Sequence, residues 1–280
     1  MCSPSATPLR IQARYFLSRT IMSNIRFPRR RILALGAAGL GGTLLTGCDR
    51  LSESSDVQEG LSSAEWLTYR VQRLLGGRHA LAREFTAADL SPVFKVNGSR
   101  MPEGEEYAAL LESNFANWRL RVDGLVANPL ELSLADLRNL PQRTQITRHD
   151  CVEGWSAIGK WQGAPLAIVL QRASLLPAAR FVVFHCADLY ERAADGTGQY
   201  YESIDLIDAF HPQTILAHRL NDVPLSAGHG APLRLRVERQ LGYKHAKYVM
   251  RIELTDRLDR FGRGKGGFWP DRGYEWYAGI

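Results

Sequence analysis

The sequence predicts an α+β fold with mixed sheets. Three observations carry this. Short alternating or apolar segments outnumber long helical ones. The segments with strand character do not alternate regularly with helices, as a doubly wound parallel sheet would require. No G-x-G-x-x-G, P-loop, G-x-S-x-G or H-E-x-x-H pattern supplies a fingerprint of another architecture.

Taken in order, residues 50–64 are polar and rich in Ser and Glu, which reads as a tether. Trp66, Tyr69, Leu74 and Leu75 recur at helical spacing and predict a helix over 65–85. Asn97-Gly98 is a turn signal. Trp118, Leu120 and Val122 alternate with arginines and predict a strand, which Asp123-Gly124 and Asn128-Pro129 break. Ser133 with Asp136 forms a helix start, and the helix runs to Leu140. Residues 145–149 read as a strand that delivers the chain to Cys151. Residues 165–173 read as a helix with proline in its first turn. Phe181, Val182, Val183 and Phe184 are consecutive and predict a strand over 180–185 buried on both faces. A short strand is expected over 204–206, then a helix over 206–216 interrupted near Pro212. Residues 232–238 and 248–254 alternate and predict strands, with Arg234 and Arg236 facing away from the apolar side. Residues 261–267 are glycine-rich and read as a loop.

The charge balance first looks basic, with a formal net charge of +6. Seven arginines lie in residues 1–47, which hold no Lys, Asp or Glu; the remaining 28 basic residues face 29 acidic ones. The rest of the chain is therefore nearly neutral, with no basic run suited to tracking phosphates, and a nucleic-acid partner is not expected.

The basic N-terminal stretch reads as a leader. Arg29-Arg30-Arg31-Ile32-Leu33 is a twin-arginine pattern, and the soft apolar run 34–45 is too short to span a membrane. Leu45-Thr46-Gly47-Cys48 has the form of a lipobox, so Cys48 is expected to be lipidated and to tether the domain to a membrane surface, with Asp49 favouring the inner membrane. Met22 is a plausible true start. The expected organisation is a leader over 1–47, a lipid-anchored tether and N-terminal helix over 48–92, and a main domain over 93–280. The twin-arginine machinery exports folded proteins, which implies a cofactor loaded in the cytoplasm and a periplasmic destination.

Four cysteines are present, at 2, 48, 151 and 186. A disulfide between Cys151 and Cys186 is the bland expectation for an exported domain. Against it stands Thr147-Arg-His-Asp-Cys151-Val-Glu-Gly-Trp-Ser156, where a cysteine follows a strand and precedes a turn, a placement that can present a thiolate to a cleft. Gly154 is expected to let backbone approach a ligand closely, and Arg148 and His149 to lower the thiol pKa. A soft thiolate suits a transition metal. A zinc or copper protein using His149, Cys151, His185 and Cys186 is a competing reading.

The run Arg148–Ser156 resembles the cofactor loop of the sulfite oxidase family of molybdopterin-binding oxidoreductases, and is closer to the methionine-sulfoxide reductase catalytic type than to sulfite oxidases. Further segments resemble the family in order: Trp118–Val126 with Asn128-Pro129, His211–Leu216, Gly228–Arg234, Gly242–Lys244 and Val249–Thr255. The resemblance covers roughly residues 94–280. It implies a sulfite-oxidase-like molybdopterin-binding fold with mixed sheets, and an enzyme acting by two-electron oxygen-atom transfer on a sulfoxide or N-oxide. It implies molybdenum-molybdopterin without an added nucleotide, and Cys151 as the thiolate ligand to the metal. Arg234 and Lys244 would hold the pterin phosphate, because a guanidinium fork and an ammonium suit its oxygens. Gly242, Tyr243 and Asn97 would add contacts. Cys186 and His229 stand where reductase relatives carry threonine and asparagine, so the hydrogen bonding around the cofactor differs here. Glu153-Gly-Trp155 follows the cysteine where sulfite oxidases carry arginines, which argues against sulfite.

No C-x-x-C-H or iron–sulfur spacing is present, and the family's haem and immunoglobulin-like domains are not recognised in this sequence. Electrons are expected from a separate membrane haem protein or a cytochrome, and the chain is expected to be a monomer. A non-enzymatic lipoprotein on the same fold is the remaining alternative; the joint presence of Cys151, Arg234 and Lys244 argues against it. His79, His211 and His218 read as structural, His245 as a residue that could line the site, and Trp155 and Trp161 as packing residues walling the cofactor loop.

Overall fold

Two five-stranded sheets organise the described residues; Cys151 ends a strand of one, and Tyr190 and Tyr200, at neighbouring strand ends of the other, line the same cleft. The computed structural model describes residues 64, 67–74, 76, 77 and 79–280. The expected leader, Cys48 and the tether lie outside the described residues. Ser62–Ile280 forms one compact unit.

In the first sheet the order is β2 (Leu130–Ser133), β1 (Arg119–Gly124), β10 (Val249–Thr255), β5 (Phe181–Leu189), β6 (Gln199–Asp205). β1 runs parallel to β10, and the other pairs are antiparallel. The sheet is mixed, as expected. Trp118, Leu120 and Val122 are buried on one face, and Val182, Val183 and Phe184 are all buried.

The second sheet has the order β3 (Arg143–Cys151), β4 (Trp155–Pro165), β7 (Ile215–Leu220), β8 (Val223–Pro224), with β9 (Arg234–Arg236) also on β7. Strand alternation turns Gln145, Thr147 and His149 of β3 inward, so this sheet carries a buried polar face. Part of this face is hydrogen-bonded by the segment around β9, where Gln145 donates to Glu238 at 2.8 Å and Arg236 donates to His149 Nδ1 at 3.0 Å, while Thr147 Oγ1 and His149 Nε2 have no partner.

Among the described residues four short α-helices follow residue 80: α1 (Glu105–Glu112) precedes β1, and α2 (Leu134–Asn139), α3 (Leu166–Ala173) and α4 (Leu206–Ala209) connect strands. Ser133 caps α2 by accepting from the Asp136 N–H, and Asp136 reaches back to the Ser133 N–H. Such a cap is worth about 1 kcal/mol. α3 buries Leu166, Val169, Leu170 and Ala173 against the core. Among the described residues no helix is long and apolar enough to cross a membrane.

Several elements differ from expectation. The helix expected over 65–85 is described over 67–74 and at 76; the chain has left it by residue 80, and Glu84 pairs with Thr147. This segment is docked rather than loose, because Arg73 is paired with Asp205 and Asp208 at 2.8 Å. The helix expected over 206–216 ends at Ala209, where His211-Pro212 turns the chain into β7. Arg234 and Arg236, expected to face away from the apolar side of their strand, are both fully buried. β4 lies in a stretch for which no strand was expected.

Candidate active site

Cys151 is the last residue of β3 and faces Trp155 at the start of β4 across a three-residue loop. Gly154 closes this hairpin at φ +84, with its N–H donating to the Cys151 carbonyl at 3.0 Å. A left-handed residue at the loop's end favours glycine. An added Cβ at Gly154 would meet no protein atom within 4 Å, so the glycine is required by the positive φ of the turn.

The thiol is free and partly buried. Burial pushes its pKa up; the Glu153 backbone N–H opposes this and the Glu153 carboxylate adds to it. The expected lowering by Arg148 and His149 is not found. Arg148 leaves β3 on the opposite face and pairs with Asp150 at 2.9 Å. His149 is buried beside Arg236 and Arg234, and burial with those charges holds its ring neutral.

The cleft at Cys151 is lined by Asn97, Gly98, Val152, Glu153, Tyr190, Tyr200, Tyr243, Trp269 and Tyr274 and has a volume of about 120 Å³. No Lys, Arg or His lines it. A smaller hollow of about 10 Å³ shares Asn97, Tyr190 and Tyr200 and adds Asp188, His245 and Lys247. The Tyr190 and Tyr200 rings, 5.1 Å apart, line both spaces. Gly98 is required here: it sits at φ +62, and a Cβ would lie 2.0 Å from the Tyr190 hydroxyl. A larger open groove of about 450 Å³ lies beside Arg148 and Asp150 and contains neither Cys151 nor Lys247.

Cationic groups stand behind the cleft. Arg234 is fully buried, lies 5.0 Å from the Trp161 ring centroid, and donates to the His229 carbonyl at 3.1 Å. Burial, then the neighbouring Arg236 charge, lowers its pKa to about 9. Arg236 stacks on Trp161 at 4.4 Å but is neutralised by Glu238 at 2.6 Å. Trp161 is thus the platform for two guanidinium groups. Lys247 donates to the carbonyls of Asn97 (2.7 Å), Gly228 (3.0 Å) and Ser99, and burial followed by Arg234 lowers its pKa to about 7.

The remaining expected residues fall as follows. Gly242–Lys244 forms a 3-10 turn close to β3 and β6, one strand from each sheet. A Cβ at Gly242 would lie 2.5 Å from His149 Nε2, so only glycine fits. Tyr243 reaches the cleft. Lys244 does not join Arg234; its Nζ lies 2.5 Å from Glu202. His229 has both ring nitrogens engaged, with Ser226 at 2.8 Å and the Phe94 carbonyl at 3.0 Å, so its ring holds the segment before Asn97 and only its backbone oxygen touches the site arginine. Cys186 is buried opposite Val249 and opens on a separate cavity with Tyr107 and Met250. It is a free thiol, so no Cys151–Cys186 disulfide is present. The zinc or copper reading is not supported: His185 pairs with Glu253 at 3.0 Å, and among the described residues no three His, Cys, Asp or Glu side chains are grouped to hold a metal.

The profile of the oxidoreductase molybdopterin binding domain matches residues 107–260. The chain belongs to this family. An Azospira oryzae protein, provisionally named protein-methionine-sulfoxide reductase subunit YedZ1, is 36% identical over 91% of this chain and 89% of its own length. The Campylobacter jejuni protein-methionine-sulfoxide reductase catalytic subunit MsrP is 31% identical over 57% of each chain. The sulfane dehydrogenase SoxCD of Paracoccus pantotrophus aligns with a TM-score of 0.45 at 24% identity, over 50% of this chain and 39% of its own. The chain is therefore a molybdopterin-dependent oxidoreductase with the mixed-sheet fold of the sulfite oxidase family. Asn97 lies outside the matched span and enters the site by geometry alone.

The donor set fits a molybdopterin. Four buried polar atoms lack a hydrogen-bond partner: Asp188 Oδ1 and His245 Nδ1, whose residues line the smaller hollow, and Arg234 Nε and His149 Nε2, whose residues adjoin His245. Groups of this kind are costly unless a ligand completes them. The space as it stands is narrower than the roughly 300–1,000 Å³ of ligand pockets. Lys247 and Asp188 were not singled out in the sequence. The available signals were a second lysine three residues after Lys244 and an acid two residues after Cys186.

Proposed function

We propose that the chain catalyses two-electron oxygen-atom transfer on a small neutral sulfoxide, with an amine N-oxide as the second substrate class. The observation that carries this reading is the lining of the Cys151 cleft: five aromatic side chains, one carboxylate and no cation. An oxyanion such as sulfite would meet Glu153 with no compensating charge. A neutral S=O group loses little on entering, and its sulfur gains contacts with aromatic edges. Both relatives carry methionine-sulfoxide reductase names, which supports placing the sulfoxide first.

The overall reaction balances as sulfoxide, two electrons and two protons giving thioether and water. The bound molybdenum-molybdopterin, without an added nucleotide, supplies the two-electron and oxygen-accepting chemistry. Cys151 provides the protein's thiolate to the metal, so its raised pKa in the free site is overcome by coordination. Arg234 offers its unpartnered Nε–H to the phosphate. The Gly242 turn brings backbone close to His149, and Lys247 fixes the Asn97 turn through three carbonyls. Tyr190, Tyr243 and Trp269 limit water at the reacting face.

The same reading locates the enzyme in the periplasm. The twin-arginine pattern at Arg29–Arg31 supports export of a folded, cofactor-loaded protein, and the Cys48 lipobox supports a membrane-surface anchor. Four cysteines at 2, 48, 151 and 186 cannot bind a second redox centre by C-x-x-C-H or iron–sulfur spacing. Electrons then arrive from a separate protein, either a membrane haem protein or a soluble cytochrome. The deciding experiment gives loaded protein a reduced viologen dye and a dialkyl sulfoxide, and in parallel sulfite with a ferric acceptor. Dye oxidation with the sulfoxide, and none with sulfite, is expected. Faster sulfite oxidation would overturn the substrate assignment.

A further inference from the structure

The helix described over 67–74 is turned inside out. Its polar and charged side chains face the domain: the Tyr69 hydroxyl donates to Asp205 at 2.9 Å, and Arg73 pairs with Asp205 and Asp208 at 2.8 Å. The Arg73 guanidinium also lies 4.5 Å from the Tyr277 ring centroid, and the Tyr69 and Tyr277 rings are 4.8 Å apart. Leu67, Val71 and Leu74 follow the i, i+4, i+7 spacing of the opposite face, and all three are exposed, at 57%, 42% and 81%. An amphipathic helix on a globular domain normally turns such a stripe toward the core.

Scattered exposed apolar side chains need no explanation, whereas a contiguous stripe marks a surface that meets something else. The apolar surface continues past the helix. Leu81 and Ile280 are exposed too, and border the groove beside Gln72, Gly76 and Gly77 at the helix's end.

The place of the helix in the chain selects the occupant. Leu67 lies nineteen residues after Cys48, the expected lipid site. A chain of that length reaches at most about 65 Å. Tethering at that distance holds the helix near the bilayer surface at high effective concentration, so a short stripe suffices to seat it. The opposite face is tied to the domain by buried ion pairs, so seating the helix orients the whole domain. Tyr277, which packs on the helix, is three residues from Tyr274, which lines the Cys151 cleft.

We propose that Leu67, Val71 and Leu74 form a membrane-seating surface whose occupant is the lipid bilayer, with the helix lying in the boundary between headgroups and acyl chains. This rests on the lipid-anchored reading of the chain and adds the orientation of the domain. The C-terminal segment that walls the cleft is thereby held at a fixed height above the membrane.

The test uses the full-length protein, exported and processed by its host, then reconstituted in vesicles of phosphatidylethanolamine and phosphatidylglycerol that contain no other protein. Flotation of the vesicles reads attachment. Leu74→Trp places a reporter on the stripe, and Val223→Trp places one at an exposed apolar residue of β8. Lipids brominated near the headgroup end of their acyl chains quench an indole that enters the boundary region. With the wild-type signal subtracted, Leu74→Trp emission is expected to shift to shorter wavelength and to be quenched, while Val223→Trp emission is not. Leu67→Trp repeats the reading from the other end of the stripe if Leu74→Trp disturbs the fold. Flotation with the stripe reporters quenched no more than Val223→Trp overturns the seating surface, leaves the anchor standing, and makes a protein partner the occupant of the stripe. Wild type that fails to float overturns both.

Discussion

Lys244 Nζ lies 2.5 Å from Glu202 Oε2, with both side chains fully buried. The contact is close but not aligned as a hydrogen bond, since Lys244 Nζ and Glu202 Oε1 both lack hydrogen-bond partners. Burial raises the Glu202 pKa to about 7, with Lys244 opposing. The lysine expected to hold a phosphate is thus the counter-ion of a buried acid in the free protein. Lys244→Met should cost the apo protein about 3–5 kcal/mol at pH 8, where an unpaired carboxylate is left inside. A carboxyl whose folded pKa is raised binds more protons folded than unfolded, so its burden grows as pH rises above its unfolded value of about 4.5. The deficit should therefore shrink toward pH 5. Urea melts at the two pH values check this; a pH-independent deficit would contradict it.

Arg234 carries a buried charge with no carboxylate bonded to it. Such a group opposes folding unless a ligand anion joins it. Arg234→Met should leave the apo protein as stable as wild type, or more stable by roughly 0.5–2 kcal/mol, while lowering pterin content. Denaturant unfolding and pterin assay on the same samples test the trade-off.

Gly242→Ala would place a methyl group 2.5 Å from His149 Nε2. His149 cannot retreat freely, because Arg236 holds its other nitrogen at 3.0 Å. The expected cost is about 1–3 kcal/mol from overpacking, read as a lower melting temperature. A neutral substitution would mean that the turn and His149 are less tightly packed than described.

Acid should destabilise the fold through buried neutral histidines. Burial, then nearby arginines, lowers His211 and His218 to about 4. A histidine with a depressed pKa binds fewer protons folded than unfolded. Its contribution is fully present above about pH 6.5 and is lost as pH falls toward 4. His218→Gln should flatten the stability curve between pH 6.5 and 4 relative to wild type. An unchanged slope would contradict the assignment.

Much of the fold was legible because its signals are local. The capping pair Ser133–Asp136 marks α2, and the run Phe181–Phe184 marks β5. β4 was not legible, because Gly159 and Gly163 ordinarily count against a strand. Here Gly159 is needed where Phe94 and Leu220 would lie 2.9 Å from a Cβ. The burial of Arg234 and Arg236 was hidden for a similar reason: the platform both guanidinium groups stack on, Trp161, comes from β4, far away in the sequence, and alternation within 232–238 does not reveal it. In the site, the cysteine motif marks Cys151 by itself. Lys247 could not be read the same way, since its partners are backbone carbonyls that no residue pattern encodes.

The central claim is that the Cys151 sulfur binds molybdenum held by a pterin. Wild type and Cys151→Ser, both made in a molybdopterin-competent host, should be compared for metal content, pterin content and visible absorption. Wild type should carry molybdenum and pterin in equimolar ratio with the chain, and the serine variant should lose the thiolate-to-metal bands and turnover while keeping its melting behaviour in the apo form. Zinc or copper in place of molybdenum, or a Cys151→Ser variant with unchanged spectrum and turnover, would contradict it.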